Sequence, residues 1–160
     1  MFVAFFESVK YSGHLFPLAF LRIFIGYHYF QEANLKAQGD YLVQPQLAGM
    51  ITEWLNKGLI PGWYQYWLES VVIPYWQVFA YLATLVQLVV AVSFLAGFLV
   101  RPAALVACLV NLNFVWMGTP AQSTLHYILF AVNITLAWFG AGRCLGFDYF
   151  FFKRDRGVWW

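Results

Sequence analysis

Between Pro74 and Arg101 the chain reads YWQVFAYLATLVQLVVAVSFLAGFLV, with no charged side chain anywhere in the run. About 20 apolar residues, at about 1.5 Å each, cross the roughly 30 Å of bilayer hydrocarbon. Lipid offers no hydrogen bonds, so every backbone N–H and C=O in such a segment must be satisfied from within, which a helix does. Composition points the same way. Of 160 residues 62% are hydrophobic and 10% charged, where soluble domains carry about a quarter charged residues. The expectation is an all-α integral membrane protein forming a single domain over residues 1–160.

Several classes drop out early. A formal charge of +2 without any basic run gives no footprint for nucleic acid. Cys108 and Cys144 lie far apart, form no CxxC and do not suggest a disulfide framework or a zinc site. Lys10 precedes the first apolar run, but no small-x-small site follows it, so no cleavable signal peptide is expected.

Four transmembrane helices are predicted. The first runs from Pro17, which suits a first helical turn, to about Lys36. The second starts after Pro74 and ends at Val100, where Arg101-Pro102 breaks it and opens a third to Gly118. Thr119-Pro120 resembles a cap plus first-turn proline and opens a fourth through Phe139. With the N-terminus inside, Lys10, Arg101, Arg143, Lys153, Arg154 and Arg156 are all cytoplasmic, while only Lys36 and Lys57 fall outside, so both termini are placed in the cytoplasm. The long outer connection carries Leu47, Met50, Ile51, Trp54 and Leu55 at helical spacing, followed by Gly58. A segment rich in Trp and Tyr comes next, so two short interfacial helices are expected between the first and second spans. They either cap the bundle or lie at the headgroups, and the interfacial position is slightly preferred.

The first span, LRIFIGYHYFQEANLK, carries four ionisable groups. Counted from Pro17, Arg22 lies only about 8 Å from the inner edge, within reach of a snorkelling side chain. Glu32 lies about 8 Å below the outer edge. It stands four residues before Lys36, in the favourable order for an ion pair on the helix surface. His28 alone is stranded near the midplane. Arg22, Gly26, Tyr29, Glu32 and Lys36 share one face with His28 at its margin, and that face should turn inward, because lipid exposure of such groups is costly.

The other spans offer Gln87, Asn111, Asn113, Asn133 and His126, which together suggest a polar layer inside the bundle. Membrane amides often serve only to bond neighbouring helices. A histidine with an acid and a base on one face leaves open a site as well. No HxxxH or ExxH pair marks a metal, and His28 and His126 read as lying at different depths, which disfavours heme held between them. Neither a phosphate loop, a serine-triad motif nor a dinucleotide fingerprint is present.

The residues Arg22, Gly26 and Lys36 in the first helix, GFLVRPAAL (Gly97–Leu105) and GAGRCLGFDYFFFKR (Gly140–Arg154) resemble the pattern of the DoxX/DoxD family. The resemblance implies a four-helix protein of the bacterial or archaeal cytoplasmic (inner) membrane. It implies a link to redox assemblies; the DoxD members are subunits of thiosulfate:quinone oxidoreductase, acting with a DoxA partner for which this chain has no room. Read as residues alone, Gly140 and Gly142 end the fourth helix, Arg143 sits at its C-terminal dipole, and Asp148 pairs with Arg143 or Arg101 to fix the inner end.

Three functions follow. In the first, the chain is the membrane subunit of a quinone-linked redox system. His28 and Glu32 then deliver protons, and Arg22, Tyr29, Lys36, Trp116 and His126 bind the quinone in an apolar slot that supplies hydrogen-bond donors. In the second it is a non-catalytic accessory subunit of a larger respiratory or photosynthetic membrane complex, with membrane or periplasmic partner subunits, and the GVWW ending is a docking tail. A small transporter is the weakest, because neither an inverted repeat nor a broken midspan helix is seen.

Overall fold

The computed structural model of the chain describes residues 10, 13–56, 60–117, 120–154 and 157. Lys57, Gly58, the Gly118-Thr119 junction, Arg156 and the Trp-Trp ending lie outside the described residues, and so do the expectations placed on them. Seven α-helices make up the described chain, in the order α1 (Phe16–Gln38), α2 (Gln46–Asn56), α3 (Gly62–Trp67), α4 (Trp76–Ala96), α5 (Val100–Met117), α6 (Pro120–Phe139) and α7 (Asp148–Arg154). No strand occurs among the described residues. By length and composition α4 is able to cross a membrane, and shorter apolar stretches run over Val100–Trp116 and Ser123–Phe139. Helix α1 has the length, but Arg22, His28, Glu32 and Lys36 dilute its hydropathy.

The four long helices pack mainly as two pairs, α1 with α4 and α5 with α6, joined across α4 and α5. Small side chains permit the close approach. A Cβ on Gly26 of α1 would stand 2.9 Å from Phe94 Cβ and 3.1 Å from the backbone nitrogen of Leu95 on α4, so only glycine fits there. Ala91, Ala103, Ala104 and Ala107 do the same work around Tyr29, Phe94 and Leu136 at the centre. The outside is apolar: Phe20 is 69% exposed, Phe24 67%, Leu109 64% and Trp138 79%. So much exposed hydrocarbon marks a surface covered by something other than water.

The second long helix ends earlier than expected. Gly97, not Arg101-Pro102, stops it. Gly97 adopts the left-handed conformation (φ +68°), and its N–H and that of Phe98 both return to Ser93 O, at 2.9 and 3.0 Å. This is a glycine C-terminal cap, and the chain restarts at Val100. Pro102 then falls in the first turn of α5, where its missing N–H costs no intrahelical bond.

At this inner end the C-terminal segment wraps the α4–α5 turn. Arg22 is completely buried (0% exposed) and donates from Nη1 to Ala141 O at 3.2 Å and from Nη2 to Leu145 O at 3.1 Å. Asp148 accepts from the backbone N–H groups of Leu99 (2.7 Å) and Val100 (3.1 Å), which makes it the cap of α5. Besides capping α5, the Asp148 carboxylate has Arg143, one of the two partners expected from sequence, among its electrostatic neighbours. Arg143 stacks over the Phe152 ring, 3.9 Å from its centroid.

The outer helices pack inward. Ile51 of α2, Tyr64 of α3, and Leu68 and Val72 of the following π-turn (Leu68–Val72) form a second buried cluster, with Phe79 of α4 against it. Tyr64 donates to Asn113 Oδ1 at 2.7 Å, tying the outer segment to α5. They therefore cap the end of the bundle, the arrangement ranked second from sequence, because their aromatic rings find a core to fill. Burial pushes the Tyr64 hydroxyl up to about 12 from its ordinary 10.0. The folded state therefore holds this proton more tightly than the unfolded one, so its contribution is complete below pH 10 and drains away as pH rises toward 12. Tyr64→Phe is expected to lower stability by about 1 kcal/mol at neutral pH. Thermal melts between pH 8 and 11.5 should show the wild type losing this advantage over the variant as pH climbs; a constant gap would remove the hydroxyl from the account.

Candidate functional site

Between the two helix pairs, beneath α2, lies a cavity of about 270 Å³. Helix α1 lines it with His28, Tyr29, Glu32 and Lys36, α4 with Gln87, α5 with Asn111 and Phe114, and α6 with Leu125, His126 and Leu129. Met50 and Trp54 of α2 add to its wall. The first helix thus turns His28, Tyr29, Glu32 and Lys36 to the cavity.

Five of the seven residues picked from sequence meet in this cavity: His28, Tyr29, Glu32, Lys36 and His126. Two do not. Arg22 is at the inner end, bound to backbone carbonyls. Trp116 packs in the outer cap, with ring centroids 5.7 Å from both Trp63 and Tyr64. The two histidines, read as lying at different depths, share one chamber. Counted from the inner ends of their helices, His28 lies about 18 Å and His126 about 20 Å along, because α1 and α6 run in opposite directions. Among the described residues no three His, Cys, Asp or Glu side chains group as a metal site.

The expected Glu32–Lys36 pair does not form. Lys36 Nζ donates instead to Gln87 Oε1 at 2.8 Å and lies 5.6 Å from the Tyr41 ring centroid and 5.7 Å from that of Phe114. No ion pair joins Glu32 to Lys36 among the described residues, and Glu32 has no hydrogen-bond partner there. The aromatic faces hold the ammonium by cation–π attraction, which strengthens where water is excluded. A carboxylate and an ammonium thus both line the chamber without neutralising each other at contact distance.

A second set of bonds ties α1, α5 and α6. Tyr29 Oη receives N–H bonds from Asn111 and Asn133, each 2.7 Å. Asn111 Nδ2 also donates to Ala107 O at 2.7 Å, and Asn111 Oδ1 lies 2.9 Å from His126 Nδ1. The His126 ring stacks on Phe114, centroids 4.8 Å apart and planes 15° from parallel. The amides expected as a polar layer act as the glue, while the titratable groups they hold face the cavity. Asn133 Oδ1 is buried without a partner among the described residues.

Sequence reasoning missed Met50, Trp54 and Phe114 as cavity walls. Met50 and Trp54 carried a helical signal but no sign that their helix turns inward, and an aromatic in an apolar span carries no signal of its own. Gln87 was visible as a mid-span amide, but its partner was not.

A family model described as DoxX matches residues 18–119. That region spans nearly all of α1, the outer helices, α4 and α5, and so takes in every cavity residue except those of α6; it stops before the C-terminal ending. No curated protein and no solved structure matches the chain.

Proposed function

Since the chain belongs to the DoxX family, a family of membrane proteins, we propose that it is the membrane subunit of a quinone-linked redox system and that the cavity takes the quinone ring. Its four long helices are the four membrane spans, with both termini on the cytoplasmic side of a bacterial or archaeal inner membrane. The Lys and Arg distribution supports that orientation, and the apolar outer surface of the bundle supports the spans.

The carrying observation is the make-up of the chamber. Phe114, Trp54, Leu125 and Leu129 give apolar walls, and Lys36, His28, His126, Tyr29 and Glu32 give polar groups on the same chamber. Its volume of about 270 Å³ is near the lower end for ligand pockets. That suits a single substituted ring and leaves no room for a flavin nucleotide or a porphyrin. A quinone supplies reversible two-electron chemistry when bound. The chain's own part is to hold Lys36 as a donor for a ring oxygen, to pack Trp54 and Phe114 against the ring, and to hold or release protons at His28 and Glu32. Electrons come from a partner subunit. Arg22 and Trp116 are assigned no part in binding.

The test is purification in mild detergent, with mass spectrometry of bound lipids and subunits, followed by thiosulfate-dependent quinone reduction by the isolated complex. Bound quinone should be found, and His28→Ala and Glu32→Ala should each reduce turnover at least about ten-fold, as for loss of a positioned acid or base. A stable complex without quinone, its activity untouched by both substitutions, would favour the accessory-subunit reading. The exposed outer aromatics Trp63 (65%), Tyr66 (74%) and Tyr75 (64%) support that second reading, since they offer a surface to a partner.

A further inference from the structure

Asn111 is the one polar residue on the cavity wall whose hydrogen-bonding partners fix every one of its own protons. A backbone carbonyl can only accept, so the Asn111 atom 2.7 Å from Ala107 O is its NH₂ group. The same group reaches Tyr29 Oη at 2.7 Å, so both of its protons are committed. The remaining atom is the carbonyl oxygen, and it faces His126 Nδ1 at 2.9 Å. Two acceptors cannot share a hydrogen bond, so Nδ1 carries the proton. In the neutral ring that leaves Nε2 bare, as a lone-pair acceptor. The stack on Phe114 holds the plane of the ring, and the contact with Asn111 selects the orientation that places Nδ1 at the amide. No group among the described residues occupies Nε2, and His126 lines the cavity.

We propose that Asn111 is a positioning residue that locks His126 in the Nδ1–H tautomer, so that Nε2 accepts a hydrogen bond from a hydroxyl of the bound ring. The ring's identity as quinone-type rests on the function proposed above; the tautomer and the preference for a hydroxyl do not. The cavity then holds the reduced, hydroxyl-bearing form of its ligand in preference to a form whose oxygens only accept. Lys36, an obligate donor, serves the opposite need at an oxygen that accepts.

The test joins a spectroscopic readout with a binding ratio. Full-length protein labelled with ¹⁵N-histidine in lipid nanodiscs contains only His14, His28 and His126, and the His126→Gln spectrum identifies the third. Wild type should show a protonated Nδ1 and a bare Nε2. Asn111→Asp, which keeps the acceptor, should preserve that pattern, and Asn111→Leu should shift the ring toward Nε2–H. Tetramethylhydroquinone should bind wild type about ten-fold tighter than its dimethyl ether, the effect of about one hydrogen bond. In Asn111→Leu the ratio should fall to about one, the loss of that same bond. An Nε2–H signal in wild type overturns the proposal without needing any variant to fold, and so does a ratio unchanged in Asn111→Leu or no binding of the hydroquinone. Tetramethylbenzoquinone turnover reports separately on the redox function. Its absence beside an intact hydroxyl preference would remove the redox reading and leave this one standing, and turnover without the preference would do the reverse.

Discussion

Arg22→Ala is expected to lower stability by about 3–5 kcal/mol, the largest effect of any single substitution considered for this chain. The buried carbonyl of Ala141 and the partly buried one of Leu145 lose a charged donor at once, and a buried loss of this kind costs about 1–3 kcal/mol. The side chain is also packed among glycines: a Cβ at Gly97 or Gly146 would meet Arg22 Nη1, so its removal leaves a void that nothing nearby can fill. Backbone strain adds a further reason. Leu99 and Leu145 both sit at φ +52°, unusual for leucine. Asp148 holds the first through its N–H and Arg22 holds the second through its C=O. Strain of this kind persists only where surrounding bonds enforce it, so losing Arg22 frees the C-terminal segment to leave the α4–α5 turn. Thermal unfolding in detergent should show a drop of about 10 °C, with faster tryptic cleavage at Arg143. Arg22→Lys should recover no more than about half of the loss, since an ammonium lacks the planar fork that spans two carbonyls. A midpoint for Arg22→Ala within about 2 °C of wild type, less than one kcal/mol on this scale, would mean the inner joint is not held this way.

This joint shows what the sequence could and could not reveal. Arg22, Gly97–Leu105 and Gly140–Arg154 were each visible as features of the membrane boundary, read one at a time. Their common purpose was hidden, because hydropathy and period describe one helix at a time, while the bonds run from position 22 to positions 141 and 145. The long helices were legible for the same reason: α1 and α6 follow closely the spans drawn from apolar runs and first-turn prolines. The one shifted boundary, at Gly97, came from giving Pro102 a helix-breaking role that a first-turn proline does not have. In the site, inward-facing polarity pointed to His28, Tyr29, Glu32 and Lys36, and these four line the cavity. Pair logic failed for Glu32 and Lys36, since the rule for residues four apart applies to an exposed helix surface. Inside the bundle a third helix brought Gln87 and two aromatic rings to the same ammonium.

Lys36→Met should weaken binding of a quinone analogue by about 10–100-fold, the equivalent of about 1.5–3 kcal/mol for a hydrogen bond to a charged donor. Methionine keeps the length and the apolar stem, so the thermal midpoint should move far less than in Arg22→Ala, which separates binding from folding. Gln87 sharpens the argument. Its Oε1 holds Nζ away from Glu32, 2.8 Å from the amide. In Gln87→Leu the ammonium loses that anchor and is drawn toward the nearby carboxylate, which would form the ion pair that the sequence spacing favours. A paired ammonium has less to give a ligand, so Gln87→Leu should also weaken binding, and Gln87→Leu/Glu32→Gln should recover much of the loss by removing the competing acceptor. Additivity of the two substitutions would contradict this competition, because residues sharing one partner are expected to couple by about 0.5–3 kcal/mol. Unchanged affinity in Lys36→Met would place the ligand elsewhere altogether. Recovery in the double variant would show that the chamber works by keeping its acid and its base apart.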